Sequence, residues 1–396
     1  MIKKYILLFL LLTASVVQAQ YIALSKDAEV SLLTIGPGDQ LYDKFGHSAF
    51  RIKDESKDID LVFNYGRYDF NTPNFYTKFA RGKLLYELGM NDYAPFLNSY
   101  KRQKRWVKQQ VLDLDYSEKQ AMFDFLLNNA EPENKSYLYD FFYDNCATRM
   151  RDVLQEVLGD ELQFNSDHLT EAYTFRELIQ KNVHPNTWGS LGMDAAIGAV
   201  VDRKAEPLEY QFLPEYVFEA AANAQISKNG FKKPLVLNTT TLYDAPERVL
   251  TSNFLTSPLF VFGILALLII LVTYKDYKNE SRSRIMDALI FFITGIIGVI
   301  LFLLWFGTDH STTASNYNLL WAVPLSLFFF TLVFTKKPKR WIKRYVFFLL
   351  LLLALLAIHW LTGVQTFAIG FLPLFIALAV RYVYLYSYFG KNQAQG

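Results

Sequence analysis

From Leu255 to Leu385 the chain is written in apolar runs broken by short polar loops. In lipid such runs have one stable form, the α-helix, because every backbone polar group must be satisfied within the segment. Five runs are readable, at about 255–273, 286–306, 319–335, 345–361 and 367–385. Most approach the roughly 20 residues that a bilayer core requires, with 319–335 and 345–361 near the lower limit.

The loops set the orientation. Lys275, Lys278, Arg282 and Arg284 follow the first run and KKPKRWIKR follows the third, whereas GTDHSTTASNYN and TGVQT hold no Lys or Arg. Basic loops stay in the cytoplasm, so everything before residue 251 is expected outside the inner membrane and the C-terminus inside. Trp305, Trp321 and Trp360 fall at the outer ends of their runs, as interfacial anchors should. The opening MIKKYILLFLLLTASVVQAQ agrees: two lysines, an apolar run and Val17-Gln18-Ala19 describe an export leader over residues 1–19, with an uncleaved anchor as the alternative. The expected layout is therefore a leader, a periplasmic domain over 20–250 and an all-α, five-span membrane domain over 251–396. A formal net charge of +2 with dispersed Lys and Arg in the soluble part offers no groove for nucleic acid.

Residues 28–36, 46–52, 60–66, 84–90 and 105–115 read as strands, the second alternating His47, Ala49 and Arg51 against Ser48, Phe50 and Ile52. Ser117-Glu-Lys-Gln120 has capping-box spacing and predicts a helix to about Asn128. SYLYDFFYD reads as extended, and Asp144 or Asn145 caps a helix that Gly159 ends. Further helices are expected near 169–180 and 214–224, after which VLNTTTLYDAP leads toward the membrane. Asp194, Asp202 and Arg203 are candidates for organising the junction between the domains. The soluble part is α+β.

Cys146 is the only cysteine in 396 residues. An exported chain with one cysteine makes no internal disulfide, so Cys146 is a small buried hydrophobe, a partner for another chain, or a reactive thiol. At the first turn of a helix, unpaired N–H groups and the dipole stabilise a thiolate and lower the thiol pKa from about 8.5. A thiolate nucleophile needs a base and a group that orients the base. His47, one of five histidines, lies on an alternating strand behind a glycine, and the return strand of its hairpin carries Asn64. Read singly, Cys146 fits a core, His47 a structural role and Asn64 a turn or strand end. HExxH, CxxC, GxSxG and phosphate-binding glycine loops are absent.

The order of histidine on a strand, hairpin, and "NC" opening a helix resembles the circularly permuted NlpC-type papain-like fold, which includes the lecithin:retinol acyltransferase family. KFGHSAFRI, LVFNYGRYDF, YDNCATRMRD and LPEYV are similar to segments of the Lnb-type bacterial lipoprotein N-acyltransferases, as is the loop TDHSTTASNYNLLW. The resemblance implies a cysteine-dependent N-acyltransferase with Cys146 as nucleophile and His47 as base. Asn64 stands where the acyltransferase relatives place a second histidine, a departure that leaves it as the orienting group. The implied partners are the membrane, a phospholipid acyl donor and a lipid-modified apolipoprotein whose N-terminal amine accepts the chain, with no metal or other cofactor. Candidate substrate-binding residues are Tyr42 (a second oxyanion donor), Asn145, Arg149, His310, Asn316 and Asn318. Two other functions fit the same residues: an NlpC-like peptidase or amidase acting on cell-wall peptides, and a non-enzymatic receptor or assembly factor with a structural Cys146.

Overall fold

The computed structural model describes residues 22–228, 230–336 and 338–394, so the expected leader lies outside the described residues. In the first domain the strands are β1 (Glu29–Ile35), β2 (His47–Asp54), β3 (Ile59–Arg67), β4 (Leu85–Asp92), β5 (Val107–Leu112), β6 (Ser136–Leu138), β7 (Leu162–Gln163), β8 (Gln225–Lys228), β9 (Phe231–Pro234) and β10 (Val236–Tyr243). A seven-stranded antiparallel sheet runs β10-β5-β1-β2-β3-β4-β6, and the others form a small sheet β7-β8-β9. The helices of this domain are α1 (Phe75–Ala80), α2 (Tyr93–Arg102), α3 (Tyr116–Ala130), α4 (Cys146–Leu158), α5 (Phe175–Gln180), α6 (Trp188–Ala196) and α7 (Pro214–Asn223).

The period-2 pattern decides which side chains meet which helices. Phe50 and Ile52 of β2 and Phe63 of β3 pack under Met122 and Phe123 of α3 and Met150 and Leu154 of α4. Leu33, Ala49 and Val62 point the other way, onto Phe96 and Leu97 of α2. The expected strands are all present. Helix α3 starts earlier than the Ser117 reading, because Asp115 accepts from the Glu118 N–H while the Glu118 carboxylate accepts from the Asp115 N–H. The helix expected over 169–180 contracts to α5, where Thr174 caps it. The lead-in to the membrane is instead the edge strand β10, paired with β5; its run of β-branched threonines suits a half-exposed pleat.

In the second domain α8 (Pro258–Lys278), α9 (Arg284–Phe306), α11 (Trp341–Leu361) and α12 (Leu372–Ala394) flank a short helix, α10 (Ser326–Phe334). Among the described residues four helices are long and apolar enough to cross a membrane, against the five runs expected. The run at 319–335 is the exception. Helix α10 has 9 residues, about 14 Å of rise, or half of a hydrocarbon core of about 30 Å. The rest of that passage is a 3-10 turn (Tyr317–Leu320) and irregular chain through Pro324. Irregular backbone stands at membrane depth only where protein covers it, and Trp321, Ala322 and Val323 are buried. Two glycines of α9 make the room: a Cβ on Gly298 would collide with the Ala322 carbonyl, and one on Gly295 with the Leu327 backbone. At the far end Arg282 donates to the carbonyls of Val333 (2.8 Å) and Thr335 (2.6 Å). The chain therefore passes through the helical layer five times, the third time as a broken element.

Polar pairs lock both ends of this layer. Away from the sheet domain, buried Arg381 of α12 donates to Asp287 of α9 (2.7 Å) and Asp276 of α8 (2.8 Å). At the near end, buried Arg176 of α5 pairs with Asp194 (2.7 Å) and Asp202 (2.9 Å). Asp202 also accepts from the Thr366 N–H at 3.1 Å, so both aspartates stand at the junction, whereas Arg203 pairs locally with Glu209. Gly298→Val is expected to lower stability by about 1–3 kcal/mol through overpacking, read as earlier thermal unfolding in detergent. Gly263 of α8 has open space around it, so Gly263→Val serves as the neutral control.

Candidate active site

Three chain segments meet at one end of the large sheet. Strand β2 enters through Gly46, whose φ of 81° suits glycine, and a Cβ there would lie 2.7 Å from the Ile35 carbonyl oxygen. That entry presents His47. Strand β3 breaks register with β4 between Asn64 and Arg67, passing through Gly66 (φ 94°), where a Cβ would stand 3.6 Å from Cys146 Cβ and 3.9 Å from His47 Cε1. The third segment is the start of α4. Asn145 caps it, its Oδ1 accepting from the N–H groups of Ala147 (2.7 Å) and Thr148 (3.0 Å), and Cys146 takes the first helical position.

His47 Nε2 donates to Asn64 Oδ1 at 2.5 Å. That bond fixes the ring and leaves Nδ1 for the thiol, with which His47 is hydrogen-bonded. Tyr100 stacks on the other side of the imidazole, its ring centroid 6.4 Å away. Burial by itself pushes the Cys146 thiol up, but the charge and hydrogen bond of His47, helped by the backbone N–H groups of Ser48 and Cys146, carry it below its ordinary value. Burial likewise disfavours the imidazolium, yet the Cys146 thiolate and the Asn64 bond leave His47 raised. Thiolate and imidazolium thus favour one another across the pair.

A cavity of about 250 Å³ opens over the pair, walled by Tyr42, Tyr68, Tyr86, Tyr100, Tyr139, Phe141 and Phe212, with Asp43 and Arg105 among the lining residues. Arg105 is 5% exposed and donates from Nε to the Gly36 carbonyl at 2.7 Å. Its Nη1 is 3.8 Å from the Asp43 carboxylate, too far for a hydrogen bond. Among the described residues, Arg105 Nη2 and Asp43 Oδ1 have no partner.

Of the residues singled out from sequence, Cys146, His47 and Asn64 come together, and the exposed Tyr42 joins the cavity wall. Asn145 also lines the cavity, but its amide is used for structure: besides the cap, Nδ2 donates to the carbonyls of Phe141 (2.6 Å) and Phe212 (2.9 Å). Arg149 points away, held by Asp144 at 2.5 and 2.7 Å and lying over the Tyr137 ring. His310, Asn316 and Asn318 are in the seam between the domains. His310 Nε2 is 3.1 Å from the Phe79 carbonyl oxygen, Asn316 donates to the carbonyls of Ala195 and Ala196, and Asn318 to that of Asp194. Sequence reasoning passed over Asp43, Tyr100 and Arg105. The one available signal was the aromatic density of SYLYDFFYD, which supplies Tyr139 and Phe141 to the wall. No group of three or more His, Cys, Asp or Glu placed to hold a metal occurs among the described residues.

An activated thiol beside a base, with the N–H of Cys146 at a helix start and an aromatic cavity above, suits nucleophilic attack on an acyl carbon. The two shifts bring the thiol and the imidazole toward one another in pH, each charged form favouring the other. Alkylation of Cys146 by iodoacetamide is expected to begin at a pH below the ordinary thiol value of about 8.5. His47→Ala removes the attraction and leaves burial opposed only by the backbone N–H groups of Ser48 and Cys146, so the onset should move to higher pH; an unmoved onset would dissolve the pair.

Two family profiles match the chain: the Lnb N-terminal periplasmic domain over residues 18–181 and the Lnb transmembrane domain over residues 250–393. No curated protein and no solved structure gives a significant match. The first profile takes in His47, Asn64 and Cys146, and the second takes in α8 to α11 and nearly all of α12. With a periplasmic domain ahead of a transmembrane domain, both of one kind, the chain belongs to the Lnb family.

Proposed function

We propose that this protein is a membrane-bound thiol acyltransferase that moves a fatty acyl chain from a phospholipid, through a thioester on Cys146, to the N-terminal amine of a lipid-modified protein. The observation that carries this reading is the Cys146–His47–Asn64 arrangement in a periplasmic domain fastened to a transmembrane domain. A helix-borne cysteine packed on an antiparallel sheet whose strand carries the histidine also fits a papain-like domain with histidine before cysteine in the chain. The C-terminal helix α12 ends at the side of the helical layer away from the periplasmic domain, which fits a cytoplasmic C-terminus.

In the first half-reaction the Cys146 sulfur attacks the ester carbon of the donor. The oxyanion is met by the Cys146 N–H and, on this reading, the Tyr42 hydroxyl. The carbon–oxygen bond breaks, the imidazolium of His47 gives its proton to the departing lysophospholipid oxygen, and the thioester remains. In the second half-reaction His47 takes a proton from the acceptor amine, nitrogen attacks the thioester carbon, the amide forms and the Cys146 sulfur leaves. Asn64 holds the ring through both. Asn145, Arg149, His310, Asn316 and Asn318 act by holding the helix start and the domain seam in place.

Incubation with phospholipid is expected to add one fatty acyl mass to Cys146, released by neutral hydroxylamine, and to add none to Cys146→Ser. Lipoprotein N-acylation should stop in cells that depend on the Cys146→Ser protein; its persistence, or a peptidyl adduct in place of a fatty acyl one, would sink the reading. Asn64→Ala should slow thioester formation about 10²-fold through misplacement of the ring, with the fold intact by thermal melting.

A further inference from the structure

The segment that joins β3 to β4 turns its aromatic side chains to the outside. Phe70 is 65% exposed, Tyr76 78% and Phe79 54%. Part of the group is a contiguous cluster, with ring centroids 5.0 Å apart for Tyr68–Phe70, 4.9 Å for Phe70–Phe75 and 5.4 Å for Phe75–Tyr76. A patch of that kind facing water is unfavourable for a monomeric surface and marks a contact.

Its attachment says with what. The Asp309 N–H donates to the Arg81 carbonyl at 2.9 Å, His310 reaches the Phe79 carbonyl, and Lys83 lies 3.4 Å from the Asp309 carboxylate. Asp309 and His310 follow directly on α9, whose last residues, Trp305 and Phe306, stack with centroids 4.6 Å apart where that spanning helix ends. The aromatic segment is thus bonded to the first residues that emerge from the apolar layer. Lys78 of α1 and the exposed Arg81 accompany the rings, and aromatic side chains mixed with cations are what a headgroup region accepts. On its other side Tyr68 lines the Cys146 cavity, with its ring 5.2 Å from that of Tyr86 in the same wall.

We infer that the segment from Tyr68 to Arg81 enters the outer leaflet of the bilayer, with Phe70, Tyr76 and Phe79 below the headgroups, and seats the mouth of the Cys146 cavity on the lipid surface. The position of the segment follows from its own contacts. Its use, delivering an acyl ester to the thiol without a passage through water, rests on the acyl-transfer reading.

The test uses full-length Cys146→Ser protein, in which Tyr76→Cys supplies a single site for a spin label, reconstituted into phosphatidylethanolamine–phosphatidylglycerol vesicles. Phe231→Cys, at a position 82% exposed on the small sheet, is the control. At 76 the label should be relaxed more by lipid-soluble oxygen than by a water-soluble nickel chelate, at a depth of about 5–10 Å into the headgroup–acyl boundary. At 231 the order should reverse. Equal nickel access at the two positions overturns the inference. So does shielding at 76 that arises only on addition of a diacylated lipopeptide, which would make the patch an acceptor site, or shielding that rises with protein-to-lipid ratio, which would make it a contact between copies. With Cys146 replaced, the readout involves no acyl transfer, so a failure here and a failure to form the thioester are separate results.

Discussion

One buried amide holds the candidate site together. Asn145 accepts two helical N–H groups with Oδ1 and donates with Nδ2 to the carbonyls of Phe141 and Phe212. The first pair of bonds fixes where α4 begins, and each residue of displacement would swing the cysteine about 100° around the helix. The second pair ties the helix start to two separate loops, and both loops wall the cavity. By satisfying the Ala147 and Thr148 N–H groups, the cap leaves the Cys146 N–H to its own sulfur. Without the amide, those buried partners would go unmet at roughly 1–3 kcal/mol each. Position, wall and oxyanion donor therefore follow from one side chain.

A second constraint sets this site relative to the bilayer. Arg176 could pair with one carboxylate; it takes two, from Asp194 and Asp202, and also the Gly198 carbonyl at 3.1 Å. Residues 194–202 are thereby held against the loop after α9, which returns hydrogen bonds from Asn316 and Asn318. The same loop is held from within the helical layer: Trp321 Nε1 donates to Asn318 Oδ1 at 2.9 Å, and the Tyr317 N–H donates to Gln365 Oε1 at 2.8 Å.

The parts legible in the sequence are those that local physics decides. Alternation around Phe50 and Phe63 gives β2 and β3, hairpin pairing brings Asn64 beside His47, and an Asn before Cys146 with Gly159 beyond predicts the helix. What was not legible depends on distant partners. Hydropathy counts the apolar residues of 319–335 but does not register that Gly295 and Gly298 admit an irregular chain. Polar residues at the outer ends of spans look available to a substrate, yet Asn316 and Asn318 are consumed by backbone carbonyls across the seam, which no spacing rule reveals. Arg105, immediately before β5, becomes part of the site only because the β1–β2 turn places Asp43 and Gly36 against it.

Under the proposed reaction, the surroundings of His47 also account for its change of role between the two half-reactions. Four influences act on the ring: burial and the Arg105 charge disfavour the imidazolium, and the Cys146 thiolate and the Asn64 bond favour it. While the thiolate is present the last two prevail, and the ring enters the first half-reaction as an acid. Formation of the thioester removes the thiolate charge and leaves burial and the Arg105 charge opposed by the Asn64 bond alone. The balance therefore shifts toward the neutral ring, the form that a base for the incoming amine must have. A cavity open to water would screen both the burial and the Arg105 contributions. Close aromatic walls of Tyr100, Tyr139 and Phe212 therefore serve the proton transfers as much as they serve the acyl chain.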